Sequence, residues 1–242
     1  MIAAEIFKLR TTRTFYGLVG ASLGLVLVIV ILVTALVNFS PSDKPLEDML
    51  NVAGFVQPFA LVLGILAVTS EFRHGTITPS LLVTPDRVKL TLAKLVATLL
   101  ICLALGLVTV VLVVGIVKGI GSARDLDTSG DVGSKVIGAT LAVGLWGALG
   151  VGLGALVRNQ VGAIVGSLVY IFVLENLLQI IPKFGDQLAK YGLGGVSGAL
   201  FGVDSDSGDM LGQVPGGLLF AGYVLVFLIA GIALMRERDI TA

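Results

Sequence analysis

The sequence predicts an all-α integral membrane protein, and three observations carry that prediction. Hydrophobic residues make up 56% of the 242 residues and charged residues only 13%, whereas about a quarter of the residues in soluble domains are charged. The mean hydropathy is +1.02. Apolar runs of about 20 residues recur, which is the length that a helix needs to cross a hydrocarbon core of about 30 Å. Such runs are too long, and too free of alternation, for the strands of an outer-membrane barrel.

Six apolar runs are predicted to be transmembrane helices within one domain that covers residues 1–242. The first run follows three basic residues, as a secretory signal would, but it is longer and no small-residue cleavage site closes it. We therefore expect it to be retained as a span. The six predicted spans are Gly17 to Val37, Val52 to Thr69, Leu95 to Val117, Val136 to Val157, Val161 to Ile181 and Gly217 to Met235.

The distribution of charge predicts which side of the membrane each connection faces. If the amino terminus is inside, ten of the 16 Lys and Arg residues lie on the inner side, and most acidic residues lie on the outer side. The positive-inside rule then favours a plasma-membrane protein with both termini in the cytoplasm. We expect a bacterial membrane.

Residues 1–16 are predicted to form an interfacial helix before the first span. Ile2, Ile6 and Leu9 recur at helical spacing, and the basic residues fall mostly on another face. An amphipathic pattern of this kind is typical of a helix that lies in the membrane surface.

The connection between the second and third spans, residues 70–94, is predicted to be a rigid elbow on the cytoplasmic surface. A helix that leaves the membrane would stop at Gly75, and Thr76 would begin a second, short helix. The alternative is an ordinary solvated hairpin. The predicted apolar side of the short helix consists of Ile77, Leu81 and Leu82.

The connection between the fifth and sixth spans, residues 182–216, is predicted to be a re-entrant helical hairpin on the outer side. Its Gly-rich centre is too apolar for a solvated loop, and it is too short for two further crossings. Backbone at membrane depth must be shielded by protein or line a wet cavity, so we expect the hairpin to pack against the spans.

Four polar residues inside the spans are candidates for a substrate path. Glu175 is the one carboxylate within a span, and a charge at the bilayer centre costs about 2.5 to 3.5 kcal/mol on insertion scales. Asn176 and Gln179 follow it, and Gln57 lies in the second span. A substrate path or a proton-titrating site is one interpretation. A structural hydrogen bond between helices, or a helix that emerges early into the headgroups, is the other.

Several kinds of chemistry are excluded by the sequence. It contains no G-x-x-x-x-G-K-[ST] motif, so we do not expect this chain to bind and hydrolyse ATP in the P-loop manner. His74 is the only histidine, which excludes a Ser-His pair within the membrane and a multi-histidine metal site. We therefore predict that the chain is not an enzyme and holds no metal or cofactor.

The elbow carries a resemblance to a known family. The pattern E-F-R-H-G-T-I, followed by L-L-V-T-P-D-R and Lys94, resembles the region after the second span in permeases of ABC-2 type ATP-binding-cassette transporters. The similarity extends to the amino-terminal K-L-R-T-T-R, the short R-N-Q turn between the fourth and fifth spans, the Gly-rich outer hairpin and the R-E-R-D end. In that family the elbow is a coupling helix that docks on a separate ATPase subunit.

The resemblance implies which residues couple this chain to an ATPase, with ATP and magnesium bound on that partner. The positions that it implies are Glu71, Arg73, Gly75, Thr76 and Leu81, to which the apolar side of the short helix adds Ile77 and Leu82.

The resemblance also implies a function: the membrane subunit of an ATP-driven exporter. Two copies, identical or closely paralogous, would form the pathway for a small molecule, lipid or peptide, and no nucleic acid would take part. Two other functions remain open at this point. One is a proton-coupled secondary transporter that uses Glu175, and the other is a membrane assembly factor that transports nothing.

Overall fold

The computed structural model describes residues 1–39, 44–83, 86–124, 126, 128, 132–202 and 211–237, and these residues form helices and no strand. The structure also contains a 3-10 turn, Ala53–Val56, and a π-helical turn, Tyr170–Leu174. The helices are α1 (Ile2–Arg10), α2 (Arg13–Leu36), α3 (Pro45–Val52), α4 (Gln57–Arg73), α5 (Ile77–Val83), α6 (Arg87–Ala123), α7 (Gly133–Val157), α8 (Gln160–Val169), α9 (Glu175–Leu178), α10 (Phe184–Tyr191), α11 (Leu193–Leu200) and α12 (Gln213–Glu237).

Six stretches of helix within the described residues are long and apolar enough to cross a membrane, which confirms the six predicted spans and a multi-pass membrane protein. Most of these helices extend beyond the predicted apolar runs because hydrogen-bonded helix continues into the polar flanks, whereas the fifth ends at Leu178, three residues before the predicted Ile181. The six stretches are Arg13–Leu36, Pro45–Arg73, Arg87–Ala123, Gly133–Val157, Gln160–Leu178 and Gln213–Met235.

Helix α6 shows this extension most clearly. It has 37 residues, so it is about 56 Å long, nearly twice the hydrocarbon thickness of about 30 Å. The carboxylate of Asp86 begins it by accepting hydrogen bonds from the N–H groups of Val88 and Lys89. Beyond its other end, Arg124 donates to the carbonyl oxygens of Thr34 and Val37 at 2.7 and 2.9 Å.

The amino-terminal segment is two helices, and not one helix over residues 1–16. Helix α1 ends at Arg10, and Thr12 accepts a hydrogen bond from the N–H of Phe15. A threonine in this position is a favoured N-cap, so α2 begins at Arg13, four residues before the predicted start of the first span.

Helix α7 lies at the centre of the bundle, packed against α4, α6 and α12. A Cβ atom on Gly64 of α4 would meet the carbonyl oxygen of Gly147, and one on Gly150 would meet that of Leu61. The backbones of α4 and α7 therefore touch, which only residues without a side chain permit. The first and fifth spans are peripheral, because only 22% and 11% of an apolar 18-residue stretch in each is buried, against 67% in the fourth.

The connections lie on two opposite sides of the bundle. The side that holds α1, α5 and the turn between α7 and α8 is called the elbow side. The side that holds α3, α10 and α11 is called the hairpin side, where Lys135 forms an ion pair with Glu47 at 2.8 Å and Gln213 donates to the Leu200 carbonyl oxygen.

Candidate functional site

The elbow between the second and third spans has the helix, break, helix order that the sequence predicted. Helix α4 ends at Arg73, and Gly75 adopts the left-handed conformation with φ of +66°, which glycine reaches without strain. The N–H of Thr76 then donates to the Glu71 carbonyl oxygen at 2.9 Å, which closes the helix end. Helix α5 follows at Ile77.

The predicted apolar side of α5 is divided between two environments. Ile77 is buried against the bundle, whereas Leu82 is 79% exposed. The side chain of Leu81 lies outside the described part of the structure. Arg73 and His74, at the end of α4, are exposed beside the same helix. The elbow is therefore seated on the bundle through Ile77 and presents Leu82 outward.

Four charged residues, here called the ion cluster, join α1, α4 and α6 beneath the elbow: Glu5, Lys8, Glu71 and Lys94. Lys94 Nζ lies 2.8 Å from both Glu5 Oε2 and Glu71 Oε1. Lys8 Nζ lies 2.8 Å from Glu5 Oε1 and 3.0 Å from Glu71 Oε1. Two positive and two negative charges cancel, so the cluster is neutral as a whole.

Three members of the cluster are removed from water, whereas the Lys8 side chain is 48% exposed, and the cluster carries further hydrogen bonds. Lys94, Glu5 and Glu71 are all buried, and Lys94 also donates to the Ala67 carbonyl oxygen at 3.1 Å. Ser80 of α5 donates to Glu71 Oε1 at 3.4 Å, which connects the short helix of the elbow to the cluster. Buried ion pairs persist only when such partners offset the cost of desolvation.

Two ionisable groups of α1, Glu5 and Lys8, respond to this environment in opposite directions. Burial by itself raises the pKa of Glu5, but the charges of Lys94 and Lys8 outweigh burial and hold that pKa below its ordinary value. Burial lowers the pKa of Lys8, but hydrogen bonds to Glu5 and Glu71 hold it above its ordinary value. Both shifts favour the charged forms, so the ion pairs persist at neutral pH.

A cleft of about 600 Å³ opens beside the ion cluster, between α1, α4 and α5. Glu71, Arg73 and Thr76 all line it, so the structure brings three of the predicted coupling residues together. Glu71 Oε2 and Gln160 Oε1 are buried and accept no hydrogen bond from the described residues. The cleft therefore offers acceptor oxygens to a donor group.

The turn between α7 and α8 reinforces the elbow side. Arg158 takes a left-handed conformation, with φ of 55°. Its guanidinium carbon lies 5.3 Å from the centre of the Phe72 ring, and its Nη2 donates to the Leu234 carbonyl oxygen. The fourth span is thus connected to the ends of the second and sixth spans.

The polar residues predicted for a substrate path are not brought together. Glu175 is buried, and its Oε1 accepts a hydrogen bond from the N–H of Gly194 at 2.7 Å. This contact between the fifth span and the start of α11 is called the Glu175 junction. Asn176 donates to the Ile171 and Phe172 carbonyl oxygens of its own helix, and Gln179 is exposed.

Of the four residues predicted for a substrate path, Gln57 lines a large cavity. The cavity has a volume of about 790 Å³ and lies between α4, α8 and α11. Its wall contains four phenylalanines and no charged side chain. The phenylalanines are Phe55, Phe59, Phe172 and Phe201.

A second cavity, of about 620 Å³, lies on the other side of α8, and Trp146 contributes to both walls. The Trp146 Nε1–H donates to Ser197 Oγ at 2.9 Å, which fixes the indole between α7 and α11. The two cavities are therefore separated by a side chain that is held in place.

The sequence matches a family model described as "ABC-2 family transporter protein" over residues 1–174. The chain belongs to the ABC-2 transporter family. No curated protein sequence is significantly similar to it. The matched residues of this ABC-2 family protein contain the ion cluster and the elbow, whereas the Glu175 junction and the sixth span lie beyond them. ABC-2 membrane subunits generally pair with ATP-binding-cassette ATPases, so the resemblance drawn from the elbow motif is confirmed at the level of the family.

Proposed function

We propose that this chain is the membrane subunit of an ATP-driven exporter and that a separate ATPase docks on the elbow. The observation that carries the proposal is the elbow itself, a short helix that follows a defined break at Gly75, is seated by Ile77 and exposes Leu82. ATP and magnesium belong to the partner. The elbow side then faces the cytoplasm, with both termini, in a bacterial plasma membrane.

The ion cluster supports this role because it braces the surface that would receive force. A motor transmits movement only through an element that does not yield. Glu71, which immediately precedes the break, is held by Lys8 and Lys94, and Ser80 links α5 to the same carboxylate. A push on α5 would therefore reach α1 and α6 together. In this proposal Glu71 positions the elbow, while Arg73, Thr76, Leu81 and Leu82 contact the ATPase and Gly75 provides the turn.

The peripheral fifth span supports a dimer. Val161, Val165 and Phe172 are exposed along it. A second copy of the chain or a close paralogue would cover this apolar face and close the adjoining cavity of about 790 Å³ that Gln57 lines. Five aromatic side chains and Gln57 around that cavity favour an uncharged, apolar or amphipathic molecule as the substrate, such as a lipid or a small hydrophobic compound.

The placement of Glu175 favours ATP-driven transport over proton-coupled transport. Its carboxylate is engaged by the Gly194 N–H and is not among the residues that line the two large cavities, so a substrate in either would not contact it directly. Substrate uptake by proteoliposomes that contain this chain without an ATPase would contradict this assignment. Normal ATP-dependent flux in cells that lack the chain would instead indicate an assembly factor.

The docking proposal is tested by Leu82→Asp. Burial of a leucine contributes about 1.5 to 3 kcal/mol, and an uncompensated carboxylate adds a further cost. We therefore expect roughly a 30-fold or greater loss of ATPase affinity, measured by copurification from membranes and by transport. The amount of the variant in the membrane should stay normal, because the substituted side chain is exposed.

The matched control is Val214→Asp on the hairpin side, where Val214 is 72% exposed. It places the same charge at a comparably exposed site that the proposal keeps away from the ATPase. If Leu82→Asp binds the ATPase and transports as well as Val214→Asp does, the elbow is not the coupling element.

A further inference from the structure

An apolar groove of about 360 Å³ runs along the membrane-facing surface between α2 and α6, next to α1. Phe15, Val19 and Leu23 form one wall at intervals of four residues, and residues of α6 from Leu100 to Val108 form the other. Each wall rises by eight residue steps from its first residue to its last, which corresponds to about 12 Å of helix. The groove is therefore long, narrow and open to the hydrocarbon.

The groove lies toward the elbow-side end of α6. Leu100 and Val108 come six and fourteen residues after Lys94 of the ion cluster, so they lie about 9 and 21 Å farther along the helix axis. Half of the hydrocarbon core measures about 15 Å. The groove itself is about 12 Å long, which is less than the thickness of one leaflet, so one extended chain that enters from the elbow side can fill it.

Arg10 is the one charged residue that lines the groove, and it lies at its elbow-side end. Its side chain is exposed, just before the first span begins. The described carboxylates of the elbow side are engaged elsewhere, because Glu5 and Glu71 belong to the ion cluster and Asp86 caps α6. Among the described residues no carboxylate pairs with Arg10, so its charge is available to an anionic group of another molecule.

We propose that this groove binds one acyl chain of an anionic phospholipid and that Arg10 contacts its headgroup phosphate. Lipid tails are as apolar as the groove, so the tail alone gains little free energy by leaving the bilayer. The charge-assisted contact with Arg10 therefore decides which lipid is bound. The lipid bridges α1, α2 and α6.

The proposal is tested by photo-crosslinking of the full chain in nanodiscs that contain a phosphatidylglycerol with a diazirine in its acyl chain. Labelled peptides should map to residues 15–23 and 100–108. One basic residue near the surface contributes about 1 kcal/mol to the binding of anionic lipid, so Arg10→Gln should reduce this labelling about fivefold. Arg13→Gln is the matched control, because Arg13 does not line the groove, and it should label like the unmodified chain.

A second pair of variants tests the tail without altering charge. Ala104 lines the groove and is exposed, so Ala104→Phe should fill it without disturbing the core and should abolish labelling. Leu107 is equally exposed but lies outside the groove, so Leu107→Phe should leave labelling intact.

Three results would overturn the proposal. One is equal labelling by phosphatidylglycerol and by phosphatidylcholine with the same diazirine tail, and another is equal labelling of Arg10→Gln and Arg13→Gln. The third is the appearance of crosslinks between two copies of the chain at residues 100–108 in place of lipid adducts, since a second copy would then occupy the groove.

Discussion

The ion cluster on the elbow side and the Glu175 junction on the hairpin side both bury carboxylates, but by different means. Glu5 and Glu71 each lie within 3.0 Å of two lysine nitrogens. Glu175 accepts a hydrogen bond from a single backbone N–H at the start of α11, and no cation lies within ion-pair distance of it among the described residues. Separating the four charges of the ion cluster would be costly, whereas breaking the one hydrogen bond of the Glu175 junction would cost little.

This difference in how the carboxylates are held indicates which side of the bundle deforms more easily. Breaking one partner of a buried ion pair strands the other charge, so α1, α4 and α6 should stay together on the elbow side. Helix α11 is held to the fifth span by the Glu175 contact, next to a π-helical turn, and such turns are frequent at functional sites. We expect movement of the bundle to be absorbed mainly on the hairpin side.

Lys94→Met should produce the largest effect, because it leaves two buried carboxylates with only Lys8 to offset them. The expected cost is about 3 to 5 kcal/mol, which lowers the apparent midpoint of thermal unfolding in detergent by roughly 10 °C. Lys89→Met is the control, since Lys89 pairs with Asp86 at the exposed surface and such pairs contribute little. Equal midpoints for the two variants would show that the ion cluster is not a stabilising joint.

Gly192→Ala tests the packing of the Glu175 junction on the hairpin side. A Cβ atom there would meet the Leu188 carbonyl oxygen and Glu175 Oε1, and overpacking of this kind typically costs about 1 to 3 kcal/mol. Gly198→Ala on α11 has open space around its Cβ position and should be neutral. Hydrogen exchange in residues 184–202 should rise in the first variant only. Similar exchange in both would mean that the packing of the junction is already loose.

Glu175→Gln and Glu175→Leu separate the charge from the hydrogen bond. Glutamine keeps an acceptor for the Gly194 N–H, whereas leucine leaves that N–H unpaired, at a cost of about 1 kcal/mol in a membrane protein. We expect the glutamine variant to retain stability and ATP-dependent transport and the leucine variant to unfold a few degrees lower. Loss of transport in the glutamine variant, with normal stability, would return Glu175 to the substrate path.

The smallest expected effect is the dependence of the ion cluster on pH. Because the pKa of Glu5 is held below its ordinary value of 4.5, its contribution is complete above that pH and is lost as pH falls through the lowered pKa. The raised pKa of Lys8 preserves its contribution up to about pH 10.5. The difference in unfolding midpoint between the unmodified chain and Glu5→Gln should therefore be constant near neutral pH and shrink by a few degrees in acid. A difference that changes between pH 6 and pH 8 would contradict this assignment.

The sequence predicted features that depend on neighbouring residues and missed those that depend on distant ones. The six spans and the break at Gly75 follow from apolar runs and from one glycine. The ion cluster joins residues up to 89 positions apart, so the local pattern of residues 1–16 indicated only an interfacial helix. The signal that was available is the spacing of Glu5 and Lys8, three residues apart on a helix. The partner of Glu175 is a backbone N–H, which no side-chain pattern reveals.

The length of α6 has a mechanical consequence. Near one end Lys94 is fastened to α1, and just beyond the other end Arg124 is fastened to the last turn of α2. Contacts with α1 and α2 therefore hold α6 near its two ends. If a helix of about 56 Å pivots at its middle, a tilt of about 5° moves its two ends by about 2.4 Å in opposite directions. A small displacement at the elbow would then reappear, reversed, on the far surface of the membrane.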